Sequence, residues 1–346
     1  MRIIILAGEK TFFSNGATLR LQTLEKYFKN LGNKVDIEHF TPKGKIFPFQ
    51  YRYLLRANHK NSIQSLMSNY DLAVVADPSL AVLHRMIASK ITILDVCDSM
   101  IAILKFRSTN ESSFTFLKSF ISFLYLTYFL RKYSVLTYIS SADCQQDRMM
   151  NRNMKTAVIT NSADISLTEV PPTTGSNDPL IVGFIADLEY PLNRMQYCFI
   201  LSELLPSILE FGFVLHLFGK KPQDLYVPSG VHHYGFVPNI CDVYKAIDIS
   251  LCPDFYGFGF KNKVQESLLA SRPVLTTPLG ARGQVLNEGL IVNTTSNEMI
   301  FSLSKFQDRN YLRSLSEEMK RENSHSLYIP EDISWLNELL NQDLSE

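Results

Sequence analysis

LCPDFYGFGFKNKVQESLLASRPVLTTPLGARG, residues 251–283, carries the densest chemistry of the chain. It opens as the end of a buried strand. Gly257 and Gly259 follow, then Lys261, Asn262 and Lys263, then Glu266 on an expected helix at 262–270. A second apolar strand at 273–277 runs into another glycine turn, with Arg282 between Gly280 and Gly283. Glycine lets a backbone approach a ligand closely, and a helix start offers N–H groups and the positive end of a dipole. Two lysines beside these features suit a diphosphate, and the glutamate can accept hydrogen bonds from sugar hydroxyls. This is the pattern of a nucleotide-sugar site rather than a nucleotide-hydrolysis site. Strand, glycine turn, helix and strand in that order also place it in an α/β fold with a parallel sheet.

The same grammar extends to both ends. Residues 2–7 form a short apolar run suited to a buried parallel strand. A loop containing Gly16 follows, and apolar residues recur at helical spacing through 19–31 until Gly32 and Asn33. Further strands are expected at 35–40, 72–76, 91–96, 136–139 and 157–159. Pro171, Pro172, Gly175, Ser176, Asn177, Asp178 and Pro179 make the clearest linker. Beyond it the pattern restarts. Strands are expected at 180–185, 213–218, 231–234, 249–252, 273–277 and 290–293, with helices at 195–209, 241–246 and 311–323. The expected domains are 1–170 and 180–325, joined by 171–179, with a terminal segment at 326–346. That segment holds a helix at 334–340 with Trp335, the only tryptophan. A cleft is expected between the two α/β units.

The 346 residues suit two domains, and 46% apolar content is enough for two cores. Lys plus Arg equals Asp plus Glu, 34 each, which argues against a general nucleic-acid surface. Cys97, Cys144, Cys198, Cys241 and Cys252 are scattered, with no CxxC pair or Cys/His cluster for a metal. A reducing, cytoplasmic compartment is the simplest reading. The N-terminal apolar run is too short for a secretory signal. Residues 114–139 are strongly apolar, but the uncharged stretch 119–130 falls short of the roughly 20 residues of a helical span. A buried helix and a helix resting on a membrane surface both remain open, and Lys118, Arg131 and Lys132 suit anionic headgroups.

The second half resembles the retaining GT-B glycosyltransferases of family 4, in particular a subgroup with a GxGxKNKxxE core. GFIADLEYPLNRM at 183–195 matches its opening through Gly183, Tyr190, Pro191 and Asn193. LHLFGKKP at 215–222 resembles the next strand-and-glycine segment, with Gly219. GFVPNICDVYKAIDISLCP at 235–253 matches through Asp248 and Pro253, and GFGFKNKVQE through Gly257, Gly259, Asn262, Lys263 and Glu266. In the first half Gly16 and Arg20 resemble the family's first loop and helix, and DVCDSM at 95–100 and SADCQQDR at 141–148 resemble two further segments. The resemblance implies two Rossmann-like domains facing each other across a deep cleft, with a C-terminal helix returning to the first. It implies transfer of a sugar from a nucleotide-sugar donor to a glycan, glycolipid or protein acceptor in bacterial surface-glycan synthesis. No cofactor or metal is expected. Partners are the nucleotide sugar, the acceptor, a peripheral membrane surface at the inner face of the cell membrane, and an oligomer or partner subunit.

Lys263, Glu266, Asp98 and Arg20 are the candidate catalytic residues. Gly16, Gly183, Asn193, Gly219, Gly257, Gly259, Lys261, Asn262, Gly280, Arg282 and Gly283 are the candidate donor contacts. Glu266 lies three residues after Lys263, on the same helix face, so a salt bridge between them is the alternative to a ribose contact. Asp95 and Asp98 have neither the spacing nor the histidine of a metal pair, and Asp95 reads as a turn cap. His232 and His233 read as one buried and one exposed strand residue. Three features depart from the family. The earlier of its two glutamates is replaced by Phe258. The arginine and lysine of its early phosphate clamp are missing from the loop holding Asp187, Glu189 and Asn193. Its usual Asn-Gly is Asn161 and Ser162. Two alternatives stand beside a transferase: a nucleotide-sugar epimerase of the same architecture and a degenerate partner subunit. A dinucleotide oxidoreductase is disfavoured, since the opening lacks GxGxxG.

Overall fold

The computed structural model describes residues 1–8, 16–40, 69–110 except 88 and 90, 112–325 except 256 and 258, and 335. Phe258 and the terminal helix expected at 334–340 lie outside the described residues, apart from Trp335. The chain forms two units: Met1–Ser162 with Ser334–Glu346, and Ala163–Ile333.

The first unit is built on β1 (Arg2–Gly8), β2 (Lys34–Phe40), β3 (Leu72–Val75), β4 (Ile91–Cys97), β5 (Val135–Tyr138) and β6 (Lys155–Val158). They pair in the order β2-β1-β3-β4-β5-β6, and every pairing is parallel. Strands buried on both faces read as nearly unbroken apolar runs, as the sequence does at IIILA and LAVV. Side chains alternate across the sheet. Ile3, Ile5, Leu72, Val74 and Ile93 therefore face one core with Leu24 and Phe28 of the helix Gly16–Asn30. Ile4, Leu6, Ala73, Val75 and Leu94 face the other, with Phe129 and Leu130 of the helix Ser113–Leu130. Trp335 packs against the first of these cores, so the C-terminal segment returns to the N-terminal unit.

The second unit contains β7 (Ile181–Ile185), β8 (Val214–Phe218), β9 (Val231–Gly235), β10 (Ile249–Cys252), β11 (Val274–Thr276) and β12 (Leu290–Val292). Their order is β12-β11-β10-β7-β8-β9, again all parallel. The sheet is laid down from β7 outward in one direction, and from β10 outward in the other. The carboxyl ends of β7 and β10 thus form a topological switch point, where open parallel sheets bind ligands. The helix expected at 195–209 runs from Pro191 to Glu210 and passes through a π-turn at Ile200–Leu204. Pro206 lies two residues beyond the end of that turn. A proline removes one donor from the helical ladder, and the wider turn accommodates that loss.

The boundary differs from the sequence expectation. The stretch 163–179 folds with the second unit. Lys320 Nζ donates to the carbonyls of Thr168 and Val170, the latter at 2.8 Å, and Arg272 Nη1 donates to that of Pro171 at 2.8 Å. Arg313 Nε holds the Thr174 carbonyl at 3.0 Å, and Arg309 Nη1 holds that of Gly175 at 3.0 Å. The Thr173 hydroxyl bonds to the buried carboxylate of Asp248. Turn-forming composition is a local property. Whether such a segment swings freely depends on the side chains that reach its carbonyls, and here four cations do. Burial lowers the Arg272 pKa to about 10, against the opposing influence of Asp248.

Candidate functional site

In the second unit the chemistry gathers at the carboxyl end of β10. Asp254 lies two residues past the strand and is buried, with a 1% exposed side chain. The ammonium of Lys261 lies 3.5 Å from Oδ1, and that of Lys263 lies 3.9 Å from Oδ2. Gln196 Nε2 donates to the same carboxylate, and the Cys252 thiol donates to it at 2.8 Å. Lys263 Nζ also donates to Gln196 Oε1 at 2.7 Å and sits 5.2 Å from the centre of the Phe184 ring. Both lysines are mostly covered, with side chains 15% and 16% exposed. Burial alone lowers the pKa of an ammonium. For Lys263 this is outweighed, and its pKa lies above the usual value; the nearby Asp254 carboxylate is the charge that holds the proton. Cys252 contributes less, because burial and then Asp254 push its own thiol well up and keep it neutral.

Glu266 does not pair with Lys263. Its Oε2 accepts a hydrogen bond from the Tyr244 hydroxyl at 3.2 Å, and that hydroxyl also lies 3.1 Å from the Lys263 carbonyl. Burial raises the Glu266 pKa above its usual 4.5, and the Tyr244 bond and Lys263 only partly oppose this. Tyr244 is fully buried, and burial, then the adjacent carboxylate, raise its pKa. A carboxylate whose pKa is higher folded than unfolded makes the folded state the better proton binder. Stability is therefore greatest below the unfolded value and declines as pH rises from there through the folded pKa. Glu266→Gln is expected to abolish this decline, measured as urea midpoints between pH 4 and pH 8.

The helix Asn262–Leu269 begins directly after Lys261, which occupies its N-cap without a side-chain capping bond. Gly257 and Gly259 adopt positive φ in the turn before it, and Gly283 does so in the turn after β11. Gly280 has a steric reason: a Cβ there would lie 2.0 Å from Thr276 Oγ1, which donates to the Cys252 carbonyl at 2.8 Å and ties β11 to β10. Gly219, at φ 122°, brings the end of β8 against β7, where a Cβ would meet the Ala186 carbonyl oxygen at 2.1 Å. His233 Nε2 contacts the Gly219 carbonyl at 2.9 Å, while His232 points outward, exposed. Gly183 sits inside β7 and makes room for Ile247, whose Cγ2 would be 2.6 Å from a Cβ. It is a packing glycine, a role the motif match alone did not suggest. Asn193 Nδ2 donates to the Asp187 carbonyl at 2.8 Å and shapes the loop after β7. Arg282 is half-buried in the turn after β11.

In the first unit Gly16 opens the helix Gly16–Asn30, and Arg20 points inward one turn later. The Arg20 guanidinium pairs with Asp95 in two bonds, Nε to Oδ2 at 2.9 Å and Nη2 to Oδ1 at 2.6 Å. Its Nη1 donates to the Ile159 carbonyl and to Asn161 Oδ1, the latter at 3.3 Å. Thr137 Oγ1 adds a third bond to Asp95 at 2.7 Å. Asp95 is thus a buried partner within β4 rather than a turn cap. Arg20 joins the carboxyl ends of β4 and β6 to the first helix. Asp98 is half-buried beyond a register break in β4, where Cys97 takes φ 63°. A non-glycine residue in that region is uncommon.

The two motifs DVCDSM and SADCQQDR meet in space. Asp147 accepts from Ser99 Oγ at 2.7 Å and from the backbone N–H groups of Met100 and Ile101 at 2.9 and 3.1 Å, so it caps the helix Met100–Asn110. Asp143 accepts from the Ser99 N–H at 3.2 Å. Asp98 also lines an apolar cavity of about 150 Å³ together with Val96, Ile103, Arg107, Phe123 and Leu126. A larger depression of about 680 Å³ is lined by Met1, Arg2, Gly32, Lys34, Asp36 and Asp71, at the amino ends of β1 and β2. That is the end of a parallel sheet where ligand sites are not built. Among the described residues, no group of three or more His, Cys, Asp or Glu is placed to hold a metal ion.

Sequence reasoning missed Asp254, Gln196 and Tyr244. Asp254 carried a usable signal, an acid directly past the end of a buried strand. Gln196 and Tyr244 carried none, because only the fold brings them to residues 67 and 22 positions away.

Residues 179–305, less than half of the chain, match the family model described as glycosyl transferases group 1. None of the curated proteins matches the sequence. Solved structures match over nearly the whole length. HepE of Anabaena, in complex with UDP and glucose, is 16% identical, with 100% of this chain and 99% of that chain covered at a TM-score of 0.67. Sucrose-phosphate synthase from Thermosynechococcus elongatus is 13% identical, with 99% of each chain covered and a TM-score of 0.70. WaaG, a glycosyltransferase involved in lipopolysaccharide biosynthesis, is 14% identical over 94% of this chain and 95% of that chain, at a TM-score of 0.61. With its two six-stranded parallel units and returning C-terminal segment, the chain has the GT-B fold.

Proposed function

We propose that the protein is a retaining, metal-independent glycosyltransferase that moves a sugar from a nucleotide-sugar donor to a glycan or lipid-linked acceptor in surface-polysaccharide synthesis. The observation that carries this reading is the convergence of Lys261 and Lys263 on one point at the carboxyl end of β10. The donor's anomeric carbon–oxygen bond breaks, and negative charge grows on the departing diphosphate. Fixed ammonium groups in a partly desolvated site stabilise that charge more in the transition state than in the ground state. They do so without a divalent cation. The acceptor oxygen attacks the face the diphosphate leaves, its proton passes to a diphosphate oxygen, and the anomeric configuration is kept. Glu266 accepts hydrogen bonds from the nucleotide ribose. Glu266→Gln is expected to weaken donor binding by roughly 10- to 100-fold, the range for hydrogen bonds to a charged group, with little change in turnover.

The direct test is incubation with UDP-, GDP- and CDP-sugars, starting with UDP-glucose because HepE is described in complex with it. Acceptors are lipid-linked and free glycans, and products are read by mass and by anomeric NMR couplings. Transfer with retention, undiminished by a chelator, is the expected result. Inversion, or activity that is lost in chelator and restored by manganese, overturns the mechanism. Interconversion of the donor sugar without an acceptor favours the epimerase.

A membrane-borne acceptor is supported by the helix Ser113–Leu130. Phe114, Leu117, Phe120, Leu124 and Tyr128 are exposed and recur at helical spacing, with Phe114 63% and Tyr128 57% exposed. Arg131 and Lys132 follow, both exposed, and Lys132 lies 5.8 Å from the centre of the Tyr128 ring. Apolar side chains flanked by cations suit an anionic bilayer surface. Among the described residues, no helix is long and apolar enough to cross a membrane. Serine at Phe120, Leu124 and Tyr128 is expected to abolish flotation with phosphatidylglycerol vesicles while the fold persists. Phe123 packs against the core and is the wrong residue for this test. Flotation unchanged in the triple variant removes the membrane reading.

A further inference from the structure

Asp254 is buried, negatively charged and placed where the diphosphate is expected. Its Oδ1 and Oδ2 face the Lys261 and Lys263 ammoniums at 3.5 and 3.9 Å. Its backbone is anchored too, since the Thr277 hydroxyl donates to its carbonyl from the end of β11. Gln196 joins the two charges, donating to Asp254 and accepting from Lys263. These contacts hold the side chain in one place, facing both ammoniums.

We propose that Asp254 is a built-in competitor for the lysine pair: an internal anion that weakens the hold on the nucleoside diphosphate and so speeds product release. The inference rests on the transferase reading. The product carries more charge on its diphosphate than the donor does, so a purely cationic site would bind the product more tightly than the donor and turn over slowly. A fixed carboxylate facing the same two ammoniums repels that extra charge. It also keeps two neighbouring ammoniums charged and correctly spaced in a partly buried site, where they would otherwise repel one another. Asp254 is a positioning residue, and nothing requires it to touch the reacting sugar.

The test is titration calorimetry with UDP, GDP and CDP, alongside rapid-quench kinetics with whichever donor is active. Asp254→Asn keeps the shape and the amide contacts but removes the charge. It is expected to tighten nucleoside diphosphate binding by about tenfold or more, an effect that shrinks with added salt. Turnover is expected to fall, with a burst of product in the first cycle that the unaltered protein lacks. Lost packing or partial unfolding cannot produce tighter binding. Lys261→Met is expected to weaken binding, and adding Asp254→Asn to it is expected to restore affinity to within about threefold of the original. This charge-balanced pair also serves if Asp254→Asn alone fails to fold, because removing both partners of a buried pair is tolerated better than removing one. Diphosphate binding no tighter in Asp254→Asn than in the unaltered protein, or no tighter in the Lys261→Met, Asp254→Asn pair than in Lys261→Met alone, overturns the inference and leaves the transferase reading standing. No binding of any diphosphate by the unaltered protein overturns both.

Discussion

Replacing Lys263 with alanine is expected to lower turnover by roughly 30- to 1000-fold, equivalent to about 2–4 kcal/mol of lost transition-state stabilisation. The fold should survive. Lys263 is held by Gln196, Asp254 and the Phe184 ring, and the Asp254 carboxylate keeps Lys261 at 3.5 Å after the change. Donor affinity should fall less than turnover, because the charge that Lys263 meets is largest once the diphosphate departs. The measurement is kcat and KM on protein whose melting is unchanged. Near-normal values for both would mean that the lysines merely neutralise Asp254, and the donor-site assignment would fail.

Arg20→Ala is expected to act on stability, costing about 3–5 kcal/mol, the usual range for breaking one partner out of a buried ion pair. Asp95 has a fully buried side chain, and the substitution strips it of both guanidinium bonds while the Thr137 hydroxyl still donates to it. The Ile159 carbonyl and Asn161 lose their donor in the same step. Urea unfolding at pH 7 measures the loss. The carboxyl ends of β4 and β6 should loosen first, visible as faster amide exchange there. Replacing Arg20 and Asp95 together by apolar residues of similar size should recover much of the loss. A variant with full stability and a selective loss of turnover would instead return Arg20 to the catalytic role that its motif position suggested.

The helices and strands were largely legible, for a local reason. Each of the twelve strands expected from apolar runs has its counterpart in the two sheets, with no end shifted by more than two residues. Buried parallel strands need apolar side chains on both faces, and glycine or polar residues must follow where the chain turns. Both requirements are written in consecutive residues. The helix Ser113–Leu130 shows the limit. Twelve of its 18 residues are apolar and spread around the helix, so the sequence carried no clear stripe and left its orientation undecided. Packing against the sheet selected Phe129 and Leu130 for the core and left Phe114, Leu117 and Tyr128 outside.

The candidate site divides in the same way. Glycines 257 and 259, the lysine pair and Glu266 stand within ten residues of one another, and their spacing alone marked a place for a diphosphate. Which group each would face was not in that spacing. Lys263 and Glu266 share a helix face, yet one turns to Asp254 and Gln196 and the other to Tyr244.

By itself the sequence determined the order of strands and helices, the two-unit architecture and the segment that carries the charge. Only the tertiary structure decided that Arg20 meets Asp95 across 75 residues, that Gln196 meets Asp254 across 58, and that 163–179 is bound to the second unit. The physical reason is the cost of burying polar groups. Hydrophobic periodicity and turn preference act between near neighbours and leave a local imprint. A buried carboxylate or carbonyl must find its partner wherever the packed sheets bring one within hydrogen-bonding distance, and that distance has no fixed expression along the chain.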